Sequence, residues 1–133
     1  MKKIHVLLVD DSDINNLYME DMLTEIDEIE SVTAFNNPTE ALAEVEYRIK
    51  KNEALPDLVL LDIRMPEMDG YEFLEEVESL IEDQSKIPMV FMLTSSQHKR
   101  DLEAFERFPC AKEYLSKPLE TDVLKALLTR HFS

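Results

Sequence analysis

The sequence predicts an α/β fold in which a parallel sheet of five strands is flanked by five helices. Three observations carry this. Short apolar runs rich in branched side chains alternate along the chain with segments of helical spacing; no repeat or linker interrupts the alternation; and two of the runs, Val6-Leu7-Leu8-Val9 and Leu58-Val59-Leu60-Leu61, end abruptly in acids. Continuous apolar runs suit strands covered on both faces, and strand–helix alternation reads as βα units building a parallel sheet.

The first strand is residues 4–9. A helix follows directly after the acids, with Asp13 as its expected N-cap and Ile14, Leu17, Tyr18, Met22 and Ile26 at helical spacing. Val32-Thr33-Ala34-Phe35 is a weaker strand. Asn37-Pro38-Thr39-Glu40 then offers a cap, a proline at the first helical position and an acid three residues after the cap, ahead of Ala41, Leu42, Val45 and Ile49. The third strand is 58–61. Phe73, Leu74, Val77, Leu80 and Ile81 give an amphipathic third helix, 89–93 the fourth strand, and Leu102, Phe105 and Phe108 a fourth helix. Residues 113–116 form the last strand and Val123, Leu124, Leu127 and Leu128 the last helix.

Composition bounds the function. The 133 residues suit one domain spanning 1–133, with no separate output domain expected. Fourteen basic against 29 acidic residues leave a net charge of −15, which repels phosphate backbones and anionic lipid heads, so neither nucleic acid nor membrane is an expected partner. Cys110 is the single cysteine, so no intrachain disulfide can form, and a cytoplasmic location is expected. No apolar run approaches the ~20 residues of a spanning helix.

In open parallel sheets, sites form outside the carboxyl ends of the strands, where the helices change face. Asp10 and Asp11 end the first strand and Asp62 the third, so three carboxylates would share one crevice, where like charges need a cation. Carboxylates are hard oxygen ligands suited to Mg²⁺, which tolerates few protein ligands by keeping its waters. Thr94 and Lys117 end two further strands and add a hydroxyl and an ammonium to the same edge. An acid nucleophile, a divalent cation, a hydroxyl and a lysine are the parts that bind and stabilise a transferring phosphoryl group. The methionines fit core packing better than a sulfur ligand set, and His5, His98 and His131 have no ligand spacing.

These residues in this order resemble the response-regulator receiver domain of two-component signalling over essentially the whole chain. The resemblance rests on Asp10-Asp11, on Asp62 followed by Ile63-Arg64-Met65-Pro66-Glu67-Met68-Asp69-Gly70, on Thr94-Ser95, and on Tyr114-Leu115-Ser116-Lys117-Pro118. It implies a flavodoxin-like strand order 2-1-3-4-5 and a cis bond between Lys117 and Pro118. It implies that Asp62 accepts a phosphoryl group from a histidine kinase or a histidine phosphotransfer protein. Asp11, Asp62 and the backbone carbonyl of Arg64 would hold Mg²⁺, with Asp10 acting through water. Lys117 and Thr94 would contact phosphoryl oxygens, and Tyr114 would turn inward as Thr94 moves, changing contacts with a downstream protein target. Arg64 and Ser96 stand where receivers tune hydrolysis.

Two departures from the family pattern stand out. Cys110 occupies a position where receivers usually have glycine; a turn needing positive φ would be strained with cysteine, so a different path is expected for the segment before Tyr114, and Asn37-Pro38 replaces a more usual pair ending in glycine. Two rival functions use the same residues. A Mg²⁺-dependent phosphatase with an aspartyl nucleophile would typically carry a second acid two residues on, where Arg64 stands; a docking module that is never phosphorylated would not need the intact acids.

Overall fold

The computed structural model describes residues 3–95 and 101–132. Its strands are β1 (Ile4–Val9), β2 (Ile29–Phe35), β3 (Leu58–Asp62), β4 (Met89–Thr94) and β5 (Ala111–Ser116), all parallel, in the order β2-β1-β3-β4-β5. The helices are α1 (Asp13–Thr24), α2 (Pro38–Lys50), α3 (Gly70–Leu80), α4 (Asp101–Glu106) and α5 (Thr121–Phe132), with a short 3₁₀ turn at Gln84–Lys86. The predicted fold class, strand order and element sequence all hold. Strand β2 starts three residues before the apolar run that marks it, because its half-buried edge position tolerates Glu30 and Ser31.

Side chains alternate across the sheet and build two cores. Leu7, Val9, Val59, Leu61, Val90 and Met92 face α2, α3 and α4; Val6, Leu8, Leu58, Leu60, Phe91 and Leu93 face α1 and α5. The helices therefore change side between β1 and β3, and the crevice at the carboxyl ends of those strands is the switch point. All five residues of β3 are buried, Asp62 included.

Helix α1 corrects the sequence reading twice. Its N-cap is Ser12, whose hydroxyl accepts from the Asn15 N–H at 3.2 Å, and Asp13 is the first helical residue. Its buried stripe runs through Asn16, Met19, Met22 and Leu23, leaving Ile14, Leu17 and Tyr18 exposed at 82%, 65% and 44%. The helix is turned so that Asn16 reaches inward to donate to the Asp10 carbonyl at 2.9 Å. Val123 on α5 and Leu102 on α4 also face outward, whereas Leu124, Leu127 and Leu128 are buried as predicted.

Helix α2 begins as read, with the Asn37 side chain accepting from Thr39 and Glu40 and proline at the start. It ends in a Schellman arrangement: Glu53 N–H donates to the Arg48 carbonyl, Asn52 N–H to the Ile49 carbonyl, and Asn52 takes φ 56°. The segment at Cys110 makes no left-handed turn, in line with the different path expected for it. Among the described non-glycine residues only Asn52 and Glu67 have positive φ, so the turn into β5 closes with ordinary geometry, and burial pushes the Cys110 thiol up to about 11. Ser96 and His98 lie outside the described residues.

Helix α3 fixes the loop after Asp62. Asp69 accepts from the Glu72 N–H at 2.9 Å while Glu72 accepts from the Asp69 N–H at 3.1 Å, a reciprocal capping box. Gly70 donates to the Ile63 carbonyl at 2.8 Å. Its φ is not positive, and what demands glycine is close approach: a Cβ there would lie 2.9 Å from the Asp62 carbonyl oxygen and 3.1 Å from the Ile63 Cα. Gly70→Ala is accordingly expected to cost roughly 1–3 kcal/mol, seen as a lower urea midpoint, and to move the main chain at Asp62. Unchanged amide chemical shifts at Asp62 and Ile63 would contradict it.

Candidate acidic site at the carboxyl edge

The site begins with Asp10, the residue after β1, which is wholly buried. The first turn of α1 holds it: Oδ1 accepts from the Ser12 N–H at 2.9 Å, Oδ2 from the Asn15 amide at 2.5 Å, and its carbonyl from Asn16. Helix and acid therefore fix one another, since a buried carboxylate persists only where donors satisfy it. Asn15 and Asn16 were not singled out from the sequence. Asparagines in the first turn after an acid pair are the signal that could have found them.

Asp62 closes β3 beside it, and Asp11 stands exposed at the mouth. One carboxylate oxygen from each of Asp10, Asp11 and Asp62 lies within 4.8 Å of the others. Such a cluster of hard oxygen donors fits a small divalent cation such as Mg²⁺. Lys117 reaches over from the end of β5, its Nζ 2.7 Å from Asp10 Oδ2 and 3.2 Å from Asp62 Oδ1. Its main-chain N–H donates to the Thr94 carbonyl at 2.8 Å, and the Lys117–Pro118 bond is cis, as the resemblance implied.

Burial pushes the Asp62 carboxyl from 3.8 up to about 7, with the charge of Asp10 adding to it and Lys117 opposing. Burial works against the Lys117 ammonium too, yet its hydrogen bond to Asp10 and the charges of Asp62 and Asp10 outweigh that and hold its pKa above the usual 10.5. One ammonium thus shares two buried carboxylates, a net negative pocket. Both observations describe a site poised to take up further positive charge.

Of the remaining predicted residues, Thr94 and Arg64 lie on the same edge, while Tyr114 sits inside β5, paired with Met92. Thr94 ends β4, buried, one step beyond the Asp62–Leu93 register pair. Arg64 follows Asp62 by two, with an exposed side chain. Tyr114 on β5 is half-buried, its ring edge-on to Phe105 of α4 at 5.7 Å between centroids.

Fold and site together define a doubly wound α/β protein with an acidic, lysine-bearing crevice at its switch point. The family model of the response regulator receiver domain matches residues 6–129, and the chain belongs to that family. Receiver domains are signalling phosphoacceptors of two-component systems that bind Mg²⁺ at an acidic pocket and interact with histidine kinases or phosphotransfer proteins.

Among solved structures, the chain is 31% identical to a response regulator receiver protein from Dyadobacter fermentans, with a TM-score of 0.80 over 95% of each chain. A two-component response regulator from Cytophaga hutchinsonii gives a TM-score of 0.85 at 25% identity over 97% of each. The curated protein-glutamate methylesterase/protein-glutamine glutaminase 2 of Carboxydothermus hydrogenoformans is 34% identical over 94% of this chain, which spans 32% of that protein's length. Among the described residues no helix is long and apolar enough to cross a membrane.

Proposed function

We propose that this receiver accepts a phosphoryl group on Asp62 and uses it to change protein–protein contacts. The observation that carries the reading is the shared ammonium of Lys117, within 3.2 Å of both the acid pair's Asp10 and the acceptor Asp62. Asp11, Asp62 and the Arg64 carbonyl are the residues that would hold Mg²⁺, with Asp10 acting through water; the ion supplies neutralising charge for the phosphoryl oxygens. The ionised Asp62 oxygen attacks phosphorus, an O–P bond forms, and the P–N bond of a phosphohistidine breaks, its electron pair returning to the imidazole. Lys117 pairs with a phosphoryl oxygen as charge develops, and the Thr94 hydroxyl donates to another.

Tyr114 is the switch in this reading. As Thr94 moves toward the phosphoryl group, Tyr114 leaves its edge-on contact with Phe105 and turns inward, remaking the α4–β5 surface that a downstream target reads.

The donor is a histidine kinase or histidine phosphotransfer protein, met in the cytoplasm. Exposed Ile14, Leu17 and Tyr18 on α1 support a docking face for it, since they rise from the helix whose first turn holds Asp10. The net charge of −15 supports a protein partner over nucleic acid.

Incubation with Mg²⁺ and a small acyl phosphate is expected to add one base-labile phosphoryl mass, absent from Asp62→Asn. No gain in the natural chain, or an equal gain in the variant, would refute the reading. Leu17→Asp is expected to slow transfer from a phosphohistidine protein by about tenfold, the effect of ~1.4 kcal/mol of lost docking, and to leave labelling by the small donor unchanged. Equal slowing with both donors would remove α1 as the docking face.

A further inference from the structure

We infer that Tyr18 is a positioning residue for Lys117, acting through the loop between β5 and α5; this rests on the phosphoacceptor reading above. The Tyr18 hydroxyl on α1 donates to the Leu119 carbonyl at 3.0 Å, across 101 residues of sequence. Leu119 lies two residues after Lys117, and its own side chain is 3% exposed in the core against α1 and α5.

The loop is thus held at three points. The Lys117 N–H bonds the end of β4 at Thr94, the Leu119 side chain is anchored in the core, and the Leu119 carbonyl is tied to α1 by Tyr18. The first two fix the height of the loop over the sheet. Tyr18, together with the Leu119 packing against α1, fixes its separation from that helix.

That separation sets the ammonium. Asp10 is held by the first turn of α1, through Ser12, Asn15 and Asn16, while Lys117 approaches the same carboxylate from the β5 side. Tyr18, on the next turn of that helix, closes the ring from α1 through Leu119 and Lys117 to Asp10. A long lysine side chain loses considerable rotamer freedom when pinned, and fixing its backbone from both sides reduces the freedom left to lose when it meets a phosphoryl oxygen. The hydroxyl does this at a residue that is itself 44% exposed, so an aromatic without the hydroxyl keeps the packing and drops only the tie.

Tyr18→Phe tests it by two readouts. The first is labelling of Lys117 by an amine-reactive reagent, mapped by mass spectrometry against exposed Lys112 and Lys125. The variant is expected to label about fivefold faster at Lys117 alone, the equilibrium effect of one lost hydrogen bond, with its thermal midpoint lowered by only a few degrees. The second is the rate of Asp62 phosphorylation by a small acyl phosphate, expected to fall by about the same factor in the Tyr18→Phe variant but not when Tyr18→Phe is added to Lys117→Ala. A general structural role would slow both backgrounds alike. Unchanged Lys117 labelling overturns the inference whether or not the chain accepts phosphoryl groups. Absence of phosphorylation in the natural chain overturns the phosphoacceptor reading and leaves the labelling to decide Tyr18.

Discussion

At about pH 8, Asp62→Asn is expected to resist urea better than the natural chain by up to ~4 kcal/mol, although it removes the residue on which the proposed function depends. The gain follows from the pocket's charge. Folded Asp62 binds its proton near 7, against the usual 3.8, because burial and the Asp10 charge outweigh Lys117. A carboxyl raised in the folded state has its full stability below the unfolded pKa and loses it as the pH rises through the folded one. The window is therefore about 4 to 7, and three units at ~1.4 kcal/mol each give the figure above. Asparagine does not ionise and escapes that loss.

Urea melts of both proteins at about pH 4 and pH 8 should thus nearly coincide in acid and separate in base. Saturating Mg²⁺ should narrow the gap by stabilising the natural chain more than the variant, by ~2.7 kcal/mol at a hundredfold excess over the dissociation constant. Equal stabilities at the higher pH would mean that Asp62 is not held against its charge, and the site as described would be wrong.

How much of this was legible in the sequence depended on the range of the interaction. The strands were visible because β1, β3 and β4 are apolar on both faces, and α3 because the apolar stripe of Phe73, Leu74 and Val77 is the one it buries. The strand ends placed Asp10, Asp62, Thr94 and Lys117 on one edge by topology alone. Helix α1 misled because apolar spacing cannot say which stripe faces inward when a polar residue is needed there. Asn16 turns the helix by its bond to the Asp10 carbonyl, and Ile14, Leu17 and Tyr18 are left outside. Cysteine in place of glycine at position 110 was informative, since the turn there never enters the left-handed region. The bond from Tyr18 to Leu119 has no local signature; it exists only once β5 has been laid beside β4 and α1 packed on the sheet.

Lys117→Met is expected to invert the pattern expected for asparagine at position 62. Asp10 is wholly buried and loses its 2.7 Å ion pair, while Asp62 loses the partner 3.2 Å away. Removing one member of a buried pair and leaving the other ionised costs about 3–5 kcal/mol. The loss should be greatest at about pH 8 and shrink in acid, because Asp62, already raised, rises further and protonates instead. The same change should tighten Mg²⁺ binding by roughly tenfold or more, since a positive charge that competes for the same oxygens has gone. Phosphorylation should nevertheless slow by ~10²-fold, because the lost ammonium met the developing charge on the phosphoryl oxygens. Isothermal titration with Mg²⁺ and the labelling rate with a small acyl phosphate separate the two effects. Tighter ion binding with slower transfer assigns the lysine to the reacting group; slower transfer with weaker ion binding would show instead that Lys117 only holds the acids in place.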